Sequence, residues 1–303
     1  MRIDEGNLAP MLLDRYSLDE TVGSDAMGTE HLGRYLGPVG FTRKVLIKRL
    51  HAPYASDPEF VRVFVQGARL AARVRHPNVV TTLDVVAAEG VLMLVTDFAP
   101  GQTLGSILRK RTPVPPRPAC AIVSGVLHGL DAGHDVRTRR TPAGIVHGSL
   151  SPDLILVGYE GRARVSGLGM TRMHDWLQTT REGRFRRSLP YTAPELATGE
   201  QRHTGQSDVF AASAILWEAL TGRALFQGAN AAETFENIQA GRIPSPREHA
   251  PGVSETVAAV VLRGLERDPS RRFASARDMI CALDETRELA GNGELSQWAQ
   301  ALA

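Results

Sequence analysis

Apolar positions along the chain change period once, and the change divides it. Between Arg15 and Phe98 the dominant pattern is alternation with β-branched runs: YSLDETVG, EHLGRYLG, VLIKRL at 45–50, VVTTLDVV and VLMLVTDF. Apolar residues at every second position line one side of a sheet, so these stretches predict strands, the last two joined through Glu89-Gly90 as a hairpin. One helix interrupts them. Asp57 caps it, Pro58 suits its first turn, and Phe60, Phe64, Gly67, Ala71 and Val74 share one face before His76-Pro77 ends it. After Ala99-Pro100-Gly101 the spacing turns helical. TPVPPRP (112–118) introduces a long helix through Ile122, Val126, Leu127 and Leu130, and Asp208 is expected to cap VFAASAILWEALTG, which Gly222 closes. Ser254 starts a helix that Asp268-Pro269 stops, and a last one runs from about Ser275 to Leu289.

This division predicts an α+β, bilobal fold: a strand-rich N-lobe over 15–98 with one main helix and a mostly helical C-lobe over 99–289. Residues 1–14 read as a leader with little structure of its own, and 290–303 as a short polar tail.

Composition narrows the class. An apolar content of 43% with 22% charged residues is that of a globular protein with ordinary cores. A formal charge of +2 offers no basic footprint for nucleic acid. The bases are nearly all Arg, with Lys only at 44, 48 and 110, which makes each Lys conspicuous. Cys120 and Cys281 lie far apart in apolar helical contexts and suit neither a disulfide framework nor a metal site. No apolar run approaches the ~18 residues of a membrane span, and MRIDEGNLAPMLLDRYS carries acids where a signal peptide needs bases. A reduced, cytoplasmic protein with no membrane contact is expected.

Candidate chemistry concentrates at 143–169, AGIVHGSLSPDLILVGYEGRARVSGLG, where two short apolar strands flank a polar loop and end in Gly-x-Gly. With Val45-Leu46-Ile47-Lys48, Thr96-Asp97-Phe98-Ala99-Pro100-Gly101, Tyr191-Thr192-Ala193-Pro194-Glu195, Asp208 and Asp268-Pro269-Ser270-Arg271-Arg272, in that order and spacing, the chain resembles the bacterial Hanks-type Ser/Thr protein kinase family over roughly residues 15–289. The resemblance implies the bilobal kinase fold. It casts Lys48 as the third-strand lysine that contacts ATP phosphates and Thr96 as the gatekeeper. Asp208 would hold the catalytic-loop backbone, and Glu195 would pair with Arg272; these three are structural in the family.

The same resemblance exposes what is missing. The phosphate loop G-x-G-x-x-G-x-V is matched by Gly23-Ser24-Asp25-Ala26-Met27-Gly28-Thr29-Glu30, with Asp25 in place of the middle glycine. Asp25 adds bulk and negative charge where phosphates would lie, Glu30 replaces the Val that covers adenine, and Leu46 replaces a small Ala. Gly67 stands where the helix should offer Lys48 a Glu, so Lys48 is expected to lack its usual carboxylate, with Asp25 as a substitute partner the less favoured alternative. In the catalytic loop, His147-Gly148-Ser149-Leu150-Ser151-Pro152-Asp153-Leu154, the base is replaced by Ser149 and a Mg²⁺-binding Asn by Leu154. Asp153, one residue away, would point elsewhere. Gly167-Leu168-Gly169 replaces D-F-G, so no carboxylate remains for Mg²⁺. Gly148 replaces the Arg that grips a phosphorylated activation segment.

These substitutions imply a pseudokinase, a catalytically inactive regulatory or scaffolding module. No cofactor is expected; Gly23, Gly28, Lys48 and Thr96 form a remnant ATP site of weakened affinity, and Mg²⁺ lacks ligands. Partners are expected to be proteins, such as an active kinase or its substrate. The basic run Arg172, Arg181, Arg184, Arg186 and Arg187 is either a solvated loop or a docking surface for an acidic or phosphorylated partner. The alternative reading is an atypical nucleotide-dependent transferase with a site rearranged around Lys48; nucleotide sensing without catalysis is a third.

Overall fold

The computed structural model describes residues 15–25, 27–88, 90–110, 113–137, 144–170, 188–197, 203–240 and 242–303. The expected leader at 1–14 and the basic run at 172–187 lie outside them. Two compact units form. One comprises the chain to Arg73 with Val80–Ala99, and the other comprises Val74–Val79 with Pro100–Ala303.

The first unit is built on strands β1 (Tyr16–Ser24), β2 (Gly28–Leu36), β3 (Thr42–Leu50), β4 (Thr82–Ala88) and β5 (Val91–Asp97), antiparallel in the order β1-β2-β3-β5-β4. Alternation decides its faces. Val45 and Ile47 of β3 are fully buried and pack with Val91, Met93 and Val95 of β5 and with Tyr16, while the intervening Leu46 and Lys48 point to the opposite side. After a short turn, α1 (Ala52–Ala55), comes α2 (Pro58–Ala71). Asp57 caps α2, its carboxylate accepting from the N–H groups of Glu59 at 2.8 Å and Phe60 at 3.1 Å. Phe60, Phe64, Gly67, Ala68 and Ala71 form its buried face. The helix stops at Ala71, short of His76-Pro77, and Val74 belongs to the other unit. The expected N-lobe boundary therefore shifts: 74–79 leave it, because Val79 bridges Val165 and the Asn78 side chain donates to Ala163 O at 2.8 Å.

The second unit holds a small sheet, β6 (Gly101–Thr103), β7 (Ile155–Gly158) and β8 (Arg162–Val165), with helices α3 (Leu104–Leu108), α4 (Pro116–His134), α5 (Pro194–Ala197), α6 (Gly205–Thr221), α7 (Ala231–Ala240), α8 (Glu255–Gly264), α9 (Ala276–Glu285) and α10 (Asn292–Gln300). From Ser207 to Thr221 every residue of α6 but Glu218 is buried, so α6 is the core of this unit. Asp208 does not cap it. Thr204 does, in a reciprocal pair with Ser207, which leaves the Asp208 carboxylate free to act elsewhere; Gly222 closes the helix at φ 68°. Helix α8 ends at Gly264, before Asp268-Pro269.

The largest departure from expectation is at the C-terminus. Residues 290–303 are not a featureless tail, because α10 packs with Leu295 and Ala299 buried. Ser296 Oγ donates to Tyr159 O at 2.6 Å, and Arg117 pairs with Glu294 at 2.9 Å. Gly161 makes the docking possible: at φ 79° a Cβ there would overlap the Asn292 carbonyl. Among the described residues, no helix is long and apolar enough to cross a membrane.

Candidate functional site

In the first unit, Lys48 sits on β3 directly across from Glu30 of β2. Its ammonium meets Asp25 Oδ2 at 2.5 Å and lies 3.6 Å from Glu30 Oε1. Asp25 is therefore the carboxylate that Gly67 cannot supply; Gly67 is buried in α2 and offers no side chain. The other oxygen of Asp25 turns inward and accepts from the N–H groups of Met27 at 2.9 Å and Gly28 at 3.1 Å. Burial pushes the Asp25 carboxyl upward, but Lys48 and these two donors outweigh it and hold the group below the usual carboxylate range.

The two surviving glycines have different reasons. A Cβ on Gly28 would overlap the Arg49 carbonyl of β3, so sheet packing alone requires Gly there. At Gly23 a Cβ would meet only Glu30, at 3.6 Å or more, in ordinary contact. Thr96 Oγ1 reaches the Leu46 carbonyl at 3.4 Å across the β3–β5 pair.

In the second unit, Asp208 organises the loop at 147–154. Its carboxylate accepts from the backbone N–H of His147 at 2.8 Å and of Gly148 at 2.9 Å, and from His134 Nε2 at 2.8 Å. Burial alone would raise the Asp208 pKa, yet His134, His147 and the loop N–H hold it down. Burial likewise opposes a proton on His134, but the Asp208 carboxylate prevails and the pKa is raised. His147 is wholly enclosed, and burial lowers its pKa. It is neutral, donating from Nε2 to Ser166 O at 2.9 Å while Nδ1 faces the Ser149 N–H at 3.4 Å.

Ser149 is 7% exposed, with a hydroxyl where the resemblance expects a carboxylate. Asp153 does not replace it, because its side chain pairs with Arg109 Nη1 at 2.8 Å. Gly167 has φ 82°, and a Cβ built there would lie 3.7 Å from Leu154 Cδ1 and 3.7 Å from His147 Nε2. Leu154 and Gly167 are thus brought together, and the Gly167 Cβ position is faced by the Leu154 methyls and by the His147 ring nitrogen. Side-chain oxygen, which Mg²⁺ requires, is contributed by neither residue, so these positions do not fit the ion. Among the described residues, no group of three or more His, Cys, Asp or Glu converges as a metal would need. Leu168 is buried.

Glu195 and Arg272 form a bidentate pair with both N–O distances at 2.7 Å, their side chains 8% and 0% exposed. Arg272 also donates to the carbonyls of Glu266, Gln206 and Arg267 and stacks over Phe210, so the buried charge is fully satisfied. Beside it, Tyr191 donates to Glu218 Oε2 at 2.7 Å, and burial raises both pKa values.

Sequence reasoning missed His134 and Arg109. Each pairs across more than 40 residues with an acid it did not miss, Asp208 and Asp153, and no local pattern marks either base.

Comparison with known proteins agrees with this geometry. The profile of the protein kinase domain matches residues 41–282, beginning after the Gly23–Glu30 loop. Tyrosine-protein kinase MasK of Myxococcus xanthus is 29% identical over 97% of this chain and 47% of its own length. Serine/threonine-protein kinase PknB of Mycolicibacterium smegmatis is 31% identical over 91% of this chain and 44% of its own. The chain thus spans less than half the length of these relatives. The crystal structure of the Mycobacterium tuberculosis PknI kinase domain superposes with a TM-score of 0.66 at 23% identity, covering 90% of this chain and 96% of that one. The fold is that of a protein kinase, and the chain belongs to the protein kinase family.

Proposed function

We propose that the chain is a pseudokinase, a kinase-shaped module that regulates or scaffolds a protein partner without transferring phosphate. The observation that carries this reading is the apolar closure of Leu154 on Gly167, beside a Ser149 that has no basicity near neutral pH. Loss of a general base alone typically lowers a rate by ~10²–10⁴, and an unneutralised phosphoryl group adds to that. What persists serves folding: Asp208 holds the loop and Arg272 satisfies Glu195. The partner is read as a protein, either an active kinase or its substrate, and the setting as the cytoplasm, in keeping with two free cysteines.

Incubation with labelled ATP and Mg²⁺ or Mn²⁺, followed by mass spectrometry, tests the reading. No label above background is expected on the chain or on a generic acceptor protein. Reproducible label that disappears in Lys48→Ala would overturn it.

A second reading has two supports: the survival of Lys48 with a carboxylate partner, and relatives named as kinases. It is an atypical nucleotide-dependent transferase, and the same assay separates it from the first.

A further inference from the structure

We propose that Asp25 acts as a built-in anion that occupies the phosphate donors of its own loop, keeping nucleotide phosphates from Lys48 and from the N–H groups of Met27 and Gly28. All the contacts involved lie within the first unit. One carboxylate bridges three donors: Oδ1 takes the Met27 and Gly28 N–H groups, and Oδ2 takes the Lys48 ammonium. Backbone N–H groups in a tight loop, backed by a lysine, are the donor set that receives phosphate oxygens in general. Here they are already satisfied by an oxyanion of the same chain.

A turn-closing role explains Oδ1 alone. It does not explain why Oδ2 reaches across to β3, from which Lys48 projects. The loop is pinned on its other side as well, since His51 N donates to Met27 O at 2.8 Å and His51 Nε2 lies 3.3 Å from Asp25 O. Charge adds to the occlusion. Lys48 is balanced by Asp25 and Glu30 together, so these three groups carry a net negative charge that repels a polyphosphate. The groups facing Asp25 are Lys48, Glu30 by way of Lys48, and His51. Lys48 and the N–H groups of Met27 and Gly28 keep Asp25 ionised at neutral pH against the upward push of burial.

The test is metal-free calorimetry of the whole chain with sodium tripolyphosphate and with ATP, comparing wild type, Asp25→Gly and Asp25→Asn. Asn keeps an oxygen for the turn but no charge for Lys48. Both variants should bind tripolyphosphate at least about tenfold more tightly than wild type, a difference of about 1.4 kcal/mol. Adding Lys48→Ala to either variant should abolish the gain. Binding within about twofold of wild type in both variants overturns the proposal, as does a gain that survives Lys48→Ala. Should Asp25→Gly fail to fold, the isosteric Asn variant decides. In the wild-type chain, the amide resonances of Met27 and Gly28 should titrate together, with one midpoint below the ordinary Asp range. Separate or absent midpoints count against the bridge. The inference extends the non-catalytic reading but fails separately from it: binding ratios can refute the occlusion while no phosphate is transferred, and transfer by wild type would refute only the pseudokinase.

Discussion

At the scale of single residues, the chain keeps charges where the fold would collapse without them. Arg272 is enclosed with five donors engaged, so Arg272→Ala would take the bidentate partner from the buried Glu195 carboxylate. Removing one partner of such a pair costs about 3–5 kcal/mol. Urea unfolding of Arg272→Ala should show that loss, whereas a surface control such as Arg62→Ala should change stability by about 0.5 kcal/mol or less. The two histidines around Asp208 should give stability opposite pH slopes. Folded His147 has a depressed pKa, so as pH falls below about 6.5 the unfolded chain binds a proton that the folded one refuses, and stability drops. Folded His134 has a raised pKa, so its contribution is complete below about 6.5 and is lost as pH rises through the folded value. Unfolding measured between pH 5 and 8, as about the range of ordinary histidine titration, should accordingly lose acid sensitivity in His147→Gln and alkaline sensitivity in His134→Gln. If neither variant changes the pH profile, the protonation states assigned around Asp208 are wrong.

At the scale of elements, alternation and helical spacing made most of the first unit legible, because the β3 faces alternate between buried and half-buried and the Asp57 cap is local. Asp57 lies at the expected cap for that reason, and so does Ser254 in the second unit. What the sequence did not disclose were elements held by distant partners. Helix α10 buries only Leu295 and Ala299, too thin a stripe for a polar nine-residue segment to announce itself, and its support comes from Tyr159, Arg117 and a missing Cβ at Gly161. Short helices such as α3 and α5 carry too few turns to show a period. The Thr204 cap was hidden behind Asp208, whose carboxylate looks like a cap and instead serves the 147–148 backbone. Gly161→Ala tests the α10 contact. A left-handed non-glycine residue costs about 1–2 kcal/mol before any overlap with Asn292 is counted. Hydrogen exchange should show Leu295–Gln300 losing protection in that variant while α6 keeps it. Unchanged α10 protection would mean that the helix is held by its other contacts.

At the scale of the whole molecule, the kinase family was legible because its fold depends on pairings at fixed spacing, and Glu195 with Arg272 is such a pairing. The site was legible mainly by subtraction. Which residues were absent could be read from the chain, but not what stands in the vacated places: Leu154 methyls against Gly167, Arg109 on Asp153, and Asp25 on Lys48. On the proposed pseudokinase reading, the replaced groups all act on one step, so restoring them one at a time should not help. Ser149→Asp, Leu154→Asn and Gly167→Asp, each alone, should remain at background in the labelled-ATP assay; transfer by any single restoration would place the lost chemistry at that residue alone. The Asp25 bridge carries a different implication, for inheritance. Aspartate and glycine codons differ by one base, GAY against GGY, so a point transition suffices to unseal the loop. A serine codon or a leucine codon cannot become aspartate or asparagine, respectively, in one such step. On the proposed non-catalytic reading, a grip on phosphate thus lies one base change away and its transfer several, and selection on nucleotide binding could proceed without phosphoryl transfer.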